Sequence, residues 1–343
     1  MATKFAPILV LACAAAALVS MAQEFEPDVE PLPSDPAKYA PLERYEAMKV
    51  PADNAMTAEK AALGRQLWFD TRLSGDGKLS CYSCHVNEKG LTDGKALGEG
   101  AFGKKLTRSS PTLWNVGYLA EWYWDGRAKT LEAQAAAAWT KVNMGASKPE
   151  EITAKLNAIP GYKKQFQKVF GQDATPDNVP KALACYMRTI ISQTTAYDKS
   201  LKDPTAMSDA AKRGQEVFKR AKCDNCHSGV MFSDGQFHNV GIGMKAATPD
   251  LGRFVVTKAD KDKGAFKTPT LRDIARTAPY FHDGSAATLE EAVKIMTGGG
   301  IENENLDKVN LVKAELTADE MKDLIEFLKS LTETAELKEP KRP

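Results

Sequence analysis

Two copies of a Cys-x-x-Cys-His motif, at residues 81–85 and 223–227, constrain this chain more than any other feature. Two thiols three positions apart can form thioethers with the two vinyl groups of one haem, and the adjacent histidine can then bind the iron. Each copy therefore predicts one covalent c-type haem. The predicted attachment residues are Cys81, Cys84, Cys223 and Cys226, and the predicted proximal iron ligands are His85 and His227.

Two other chemistries use closely spaced cysteines. A structural zinc site needs four cysteine or histidine ligands that converge, and a thioredoxin-like redox pair is usually single and does not need the histidine. Two complete motifs in one exported chain favour haem over both alternatives.

The first 22 residues predict export. Lys4 precedes an apolar run at residues 8–19, and a small-residue cleavage site follows at residues 20–22. The run is shorter than the roughly 20 residues that a membrane-spanning helix needs, although an uncleaved anchor is the alternative. We expect a signal peptide at 1–22, a periplasmic location, and a proline-rich lead-in at 23–52.

Composition narrows the class of protein. Hydrophobic residues make up 43% of the chain and charged residues 27%, as in a globular protein. The formal net charge is +1, without the basic excess of a nucleic-acid binder, so we expect no nucleic-acid partner.

Apolar spacing after Thr57 is helical, and strands are hard to find. One helix has Ala61, Gly64, Leu67 and Trp68 on one face, and a longer one has apolar positions between 179 and 190. Capping boxes at 288–291 and 317–320 begin two more helices. Long Gly/Pro-rich stretches occur at 74–118 and 228–284. Irregular loops of this length are uncommon unless a large group packs against them, and two haems would provide such groups.

A weak internal repeat divides the chain. Each half has a helix that leads into the Cys-x-x-Cys-His motif, then a loop, then an Asp-Gly pair preceded by a ring-bearing residue, at 124–126 and 282–284. We predict an N-terminal domain at 53–203 and a C-terminal domain at 204–335, both all-α with long irregular loops.

The sixth ligand of each iron decides function, because an iron with two protein ligands transfers electrons and an open iron can bind peroxide. Beyond the two motifs the chain has only His238 and His282. Both lie in the second half, so the iron at His85 has no distal histidine from its own half.

Further segments resemble the bacterial di-haem cytochrome c peroxidases, the family that includes MauG. They cover roughly residues 57–330 and lie at 108–115, 124–128, 237–241, 269–272, 278–284 and 288–293. The resemblance implies two cytochrome-c-like domains, each with one haem. It also implies reduction of H2O2 to water, with electrons from a small cytochrome c or cupredoxin, and a homodimer.

Three sets of residues acquire roles from the resemblance. Trp124 matches the tryptophan between the haems, and Met296 matches the distal ligand of the C-terminal haem, where MauG-type proteins have tyrosine. A thioether ligand favours Fe(II) and raises the potential. The residues that match a calcium site between the domains are Thr277, Pro279 and Ser109, the last in place of an asparagine.

The N-terminal haem pocket departs from the family. Gln134 matches a pocket glutamine, but Asn143 stands where the catalytic glutamate is expected. Cleavage of peroxide needs a group that takes a proton from the near oxygen and delivers it to the far one, and an amide does not do this. The loop at 98–105 holds no histidine, which predicts an open iron; Met144 or Lys104 as a sixth ligand is the alternative.

The sequence therefore predicts a periplasmic peroxidase-like oxidoreductase whose activity is weak or altered by Asn143. One alternative is a MauG-like oxidant that modifies a partner protein, which Met296 disfavours. The other is a di-haem electron carrier or sensor, in which both irons would be six-coordinate.

Overall fold

A computed structural model describes residues 48–343 of the chain. The predicted signal peptide and most of the proline-rich lead-in lie outside these residues. Within them the α-helices are α1 (Ala58–Trp68), α2 (Leu131–Thr140), α3 (Pro149–Asn157), α4 (Pro160–Phe170), α5 (Asn178–Met187), α6 (Ala196–Ser200), α7 (Asp209–Arg220), α8 (Phe254–Thr257), α9 (Leu289–Thr297) and α10 (Ala318–Lys329). None of these helices is long and apolar enough to cross a membrane.

The strands described in 48–343 are one short antiparallel pair, β1 (Phe237–His238) and β2 (Phe266–Lys267). Phe237 pairs with Lys267 and His238 with Phe266. The segments between these elements consist of short 3-10 helices, turns and loops, and the long irregular loops agree with the sequence prediction.

Local sequence explains where the helices begin and end. The capping boxes predicted at Thr288 and Thr317 are both present at the starts of α9 and α10. The helix predicted to continue to Ile190 ends at Met187 instead. The Ile190 amide bonds to the Met187 carbonyl three residues back, at 3.2 Å, so the chain tightens and leaves the α-helical path.

Each half packs a pair of helices at a glycine. A Cβ added to Gly64 of α1 would lie 2.0 Å from the carbonyl oxygen of Ala182 in α5. A Cβ added to Gly214 of α7 would lie 1.9 Å from the carbonyl oxygen of Asp323 in α10. The weak sequence repeat therefore corresponds to a repeated helix crossing that only glycine permits.

Two hydrophobic cores form around these crossings. The first is built from buried residues between 63 and 190, and the second from buried residues between 207 and 331. Polar contacts join the halves: Ser109 donates its backbone N–H to the carbonyl oxygen of His282 at 2.7 Å, and the Trp114 indole N–H donates to Asp273 at 2.9 Å. The predicted domain boundary at 203/204 stays a prediction.

Candidate functional site

Both Cys-x-x-Cys-His motifs hold their histidine in the same way. The Nδ1 atom of His85 lies 2.9 Å from the carbonyl oxygen of Leu91, and Nδ1 of His227 lies 2.9 Å from that of Phe232. A nitrogen that faces a carbonyl oxygen carries the proton, so Nε2 keeps its lone pair for a metal. Burial lowers the pKa of both imidazoles, which keeps them in the neutral, metal-binding form.

Three of the four motif thiols, those of Cys81, Cys84 and Cys223, are not poised as thiolates. Burial raises the pKa of Cys81 to about 12, that of Cys84 to about 11 and that of Cys223 to about 12. Zinc ligation and dithiol redox chemistry both use the thiolate, which functional sites favour by lowering the thiol pKa. These surroundings therefore suit cysteines that end as uncharged thioethers.

One further cluster in residues 48–343 could hold a metal ion, and it consists of Cys226, Asp234 and His238. The two ring nitrogens of His238 are already engaged, Nδ1 with Asp307 at 2.6 Å and Nε2 with Asp234 at 2.9 Å. Only three ligands converge here, whereas structural zinc takes four, and Cys226 is also one of the predicted haem cysteines, so the cluster does not support the zinc alternative.

A cavity of about 570 Å³ contains the first motif. Its volume lies in the range of about 300–1,000 Å³ that is usual for cofactor and ligand sites. Nine of the predicted site residues line it: Cys81, Cys84, His85, Ser109, Trp124, Gln134, Asn143, Thr277 and Pro279. The structure thus brings together residues that lie up to 198 positions apart in the numbering of the chain.

The cavity fits a haem. Besides the cysteines and His85, its wall contains Trp68, Leu113, Val116 and other apolar side chains. Two residues of the wall carry buried polar atoms without a partner, Nε1 of Trp68 and Oε1 of Gln134, and such atoms are rare unless a group is missing. The donors, the volume and the apolar lining suit a porphyrin attached at Cys81 and Cys84.

Trp124 is fixed where the two halves meet. Its indole N–H donates to the Ser109 carbonyl at 3.0 Å, and its own carbonyl oxygen accepts the Lys267 N–H at 2.8 Å. Its ring lies edge-on to His282, with 6.4 Å between centroids, and His282 stacks on Phe266 at 3.6 Å. A tryptophan held this rigidly could carry electrons between two sites, and that role stays a prediction.

The predicted peroxide pocket lies along α2 and the loop that follows it. Gln134 projects from α2, and Asn143 and Met144 follow its end. The Asn143 carbonyl accepts the Ala101 N–H at 2.9 Å, which ties this loop to the one after the first motif. Of the two alternative iron ligands, Met144 lines the cavity and Lys104 is exposed and does not line it.

The predicted calcium residues all line this cavity. The Ser109 hydroxyl donates to the carbonyl oxygen of Phe281 at 2.8 Å, so its proton is already committed. Thr277 and Pro279 lie on the same loop as Phe281. Calcium binding stays a prediction.

The second motif lies apart from this cavity. Cys223, Cys226 and His227 do not line the cavity of the first motif. Met296 is half-buried in the last turn of α9. Its role as an iron ligand stays a prediction.

Sequence reasoning missed how aromatic the first site is. The chain has five tryptophans, and all five, Trp68, Trp114, Trp122, Trp124 and Trp139, line the same cavity. Trp139 is fully buried and donates its indole N–H to the Leu73 carbonyl at 2.9 Å. Trp114 and Trp124 both lie in segments that resemble the family, but only Trp124 acquires a role from the resemblance, and the others have the pattern of core residues.

Comparison with known families identifies both halves. Residues 58–206 match the family model described as di-haem cytochrome c peroxidase, and residues 211–332 match the cytochrome c model. The prediction of two cytochrome-c-like domains in an all-α chain is therefore confirmed.

Relatives with known names match over most of the chain. Cytochrome-c peroxidase IdrP1 of Denitromonas iodatirespirans is 37% identical, covering 90% of this chain and 91% of the relative. The methylamine utilization protein MauG of Methylophilus methylotrophus is also 37% identical, covering 84% and 87%. A solved MauG-like protein associated with microbial copper homeostasis superposes with a TM-score of 0.79 at 34% identity, covering 87% of this chain and 96% of that one.

Proposed function

This chain belongs to the family of di-haem cytochrome c peroxidases and MauG proteins, and we propose that it reduces H2O2 to water with electrons from a small redox protein. The donor would be a small cytochrome c or a cupredoxin in the periplasm, where the predicted signal would deliver the chain. One observation carries the proposal: a single cavity contains His85, Gln134, Asn143 and Trp124. The reaction consumes one H2O2, two protons and two electrons and yields two waters.

A haem attached at Cys81 and Cys84 supplies an iron that can exchange electrons with a peroxide oxygen. The chain does the rest of the work at this site. The Leu91 carbonyl holds the His85 ring through Nδ1, so that Nε2 would be the atom that binds the iron, and the Gln134 amide would offer a donor and an acceptor to a bound peroxide. Leu113 and Trp139 contribute apolar side chains to the cavity wall.

Asn143 is the residue that we expect to limit the rate of peroxide reduction. Its amide can hydrogen-bond to peroxide, but it neither accepts nor releases a proton near neutral pH. Protons must then reach the peroxide through water. We therefore expect peroxide reduction that is slower than a carboxylate in this position would give.

Electrons would enter at the C-terminal site, through the haem held by Cys223, Cys226, His227 and Met296. Trp124 is then the route to the first site. Support comes from its hydrogen bonds to both halves, the Ser109 carbonyl at 3.0 Å and the Lys267 N–H at 2.8 Å.

Steady-state kinetics on the holoprotein test the proposal. With a reduced small cytochrome c as donor, H2O2 should oxidise two donors per peroxide, and Trp124→Phe should lower the rate at least about tenfold. Trp122→Phe is the matched control, because Trp122 lines the same cavity and donates to Val116 rather than to Ser109. Equal rates for the two variants would exclude Trp124 as the route.

The spin state of the oxidised holoprotein tests the open iron separately. An EPR spectrum with one high-spin and one low-spin ferric signal would fit one site open to peroxide and one closed by Met296. Two low-spin signals would favour the electron carrier or sensor instead.

A MauG-like oxidant of a partner protein is the second candidate, because a relative named MauG is as similar to this chain as a named peroxidase. Peroxide added without an electron donor separates the two. A long-lived oxidised state would favour the MauG-like function, and rapid return to the resting spectrum would favour the peroxidase.

Two more features come from family resemblance, and we propose them with their tests. A calcium ion at Ser109, Thr277 and Pro279 predicts that a chelator such as EGTA lowers the unfolding temperature of the holoprotein. A homodimer predicts twice the chain mass in sedimentation.

A further inference from the structure

Lys267 belongs to the C-terminal half but lies in the wall of the cavity that holds the first Cys-x-x-Cys-His motif. It is the second residue of β2, and its backbone N–H is bonded to the Trp124 carbonyl at 2.8 Å. The strand pair therefore places a lysine of the C-terminal half in the wall of the cavity that contains the first motif.

The Lys267 ammonium group lacks a counter-charge within residues 48–343: no hydrogen bond or ion pair of its Nζ atom is found there. The carboxylate that acts on it, Glu121, already contacts Arg253 and Lys129, each at 2.5 Å. Burial lowers the pKa of Lys267 to about 8. Lys267 is half-buried, and an ammonium group that is partly removed from water without a counter-charge is stabilised when an anion joins it.

Each of the other cations of the cavity wall either forms an ion pair with a carboxylate or is exposed to water. Arg108 is paired with Asp125 at 2.8 Å and Asp250 at 2.7 Å, and Arg127 is paired with Asp125 at 3.0 Å. Lys105 is exposed to water. Lys267 is thus the wall cation, among those described, that still needs a partner.

A haem brings the matching charge. Its vinyl groups and its two propionate carboxylates lie on opposite edges of the porphyrin. Thioethers at Cys81 and Cys84 fix the vinyl edge, so the carboxylate edge extends away from the motif into the rest of the cavity. We propose that Lys267 is the charge partner of a propionate of this N-terminal haem, an inference that rests on the haem attachment in the proposed function.

The pairing would act on the electron chemistry of the site and on domain assembly. A positive charge near the iron favours the ferrous form, which carries one positive charge less, so Lys267 raises the reduction potential of the N-terminal haem. The same contact holds the C-terminal half against a group covalently fixed in the N-terminal half.

Redox titration of the holoprotein, followed by absorption, tests this without peroxide turnover. Lys267→Met should lower the equilibrium constant for reduction of the N-terminal haem about tenfold, which is about 59 mV for one electron, and leave the C-terminal haem unchanged. Lys267→Arg, which keeps the charge, should restore the wild-type value. Lys105→Met is the matched control, since it removes an exposed cation from the same cavity wall.

Thermal unfolding of the same holoproteins is a second test. The unfolding temperature should change in opposite directions depending on whether Lys267 has a propionate partner. If Lys267 pairs with a propionate, Lys267→Met leaves that carboxylate uncompensated and lowers the unfolding temperature. If it has no partner, the substitution removes an unpaired charge and raises the unfolding temperature, which would overturn the proposal.

Haem content, measured first by mass spectrometry, separates this inference from the proposed function. A chain without haem at Cys81 and Cys84 overturns both. A chain with haem whose N-terminal potential is the same in Lys267→Met and the wild type overturns only the pairing of Lys267.

Discussion

Asn143 is the residue on which the proposed activity depends most. Its carbonyl is held by the Ala101 N–H at 2.9 Å, and the residue lies in the wall of the same cavity as Gln134 and His85. The backbone that would carry a catalytic carboxylate is therefore in place, and only the side-chain chemistry differs. A change from amide to carboxylate at this position isolates the contribution of proton transfer.

Asn143→Glu should raise the rate of H2O2 reduction by about a hundredfold, because general acid–base groups contribute about 10²–10⁴-fold. The measurement is steady-state peroxide reduction by the holoprotein with a reduced cytochrome c. Asn143→Gln is the control for side-chain length without the carboxylate, and it should stay near wild type. A wild-type protein already as fast as Asn143→Glu would contradict this account of the pocket.

Asp70 gives the N-terminal half a pH-dependent part of its stability. Burial alone would raise the pKa of Asp70, but hydrogen bonds from Arg72 and Tyr162 outweigh it and lower the pKa below the usual 3.8. The folded state therefore favours the charged carboxylate. Its stabilising effect is complete above pH 3.8 and is lost as the pH falls through the lower, folded-state pKa.

Asp70→Asn should cost about 2–3 kcal/mol at pH 7, because bonds to a charged group are lost while Tyr162 stays buried. Urea unfolding at several pH values checks this. The difference between variant and wild type should be constant at neutral pH and shrink in acid. If the difference in the free energy of unfolding does not change with pH, the shape of the Asp70 side chain, and not its charge, stabilises the protein.

At the scale of elements, the glycines at the two helix crossings set how closely the helices approach. An added Cβ would meet backbone in both cases, at 2.0 Å for Gly64 and 1.9 Å for Gly214. A backbone carbonyl of a helix cannot relieve the clash by changing rotamer as a side chain can, so the helices themselves would have to move apart. Because α1 ends at Trp68 in the cavity wall, such a movement would also reach the first haem site.

Gly64→Ala should lower the free energy of unfolding by about 1–3 kcal/mol through overpacking, although alanine is the better helix former by about 1 kcal/mol. Denaturant unfolding of the holoprotein measures the change. Gly77→Ala is a control with open space around the added Cβ, and its cost is that of a positive φ alone. A Gly64→Ala protein more stable than the wild type would refute the close crossing.

Local sequence patterns predicted the helices better than they predicted contacts between distant segments. The boxes at Thr288 and Thr317 and the glycine-bearing helices could be predicted, because capping and close packing leave short-range patterns. The pair of β1 and β2 could not, since two residues a strand leave no periodicity. Lys267 was missed for the same reason: only the pairing of distant segments brings it into the cavity.

At the scale of the whole molecule, the C-terminal segment joins the two halves. Beyond α10 the chain returns to the N-terminal half, where Leu337 packs against the first core. Asn87 makes two hydrogen bonds with the backbone of Leu337, both at 2.9 Å. Arg65 donates to the Lys338 carbonyl at 2.8 Å through Nε, and Arg342 donates to the Phe69 carbonyl. Composition gives no sign of this, because the segment is polar and has no helical or strand pattern.

Removal of residues 337–343 should therefore destabilise the N-terminal half, although these residues lie far from that half in the sequence. We expect a loss of about 3 kcal/mol in the free energy of unfolding, from several hydrogen bonds at about 0.5–1.5 kcal/mol each and the exposed apolar surface around Leu337. Urea unfolding of the holoprotein, followed by absorption of the haems, measures it. Lys338→Ala is the matched control: the contact uses the Lys338 carbonyl, so this variant should unfold like the wild type. Equal stability of the shortened and full chains would mean that the segment only rests on the N-terminal half and does not hold it.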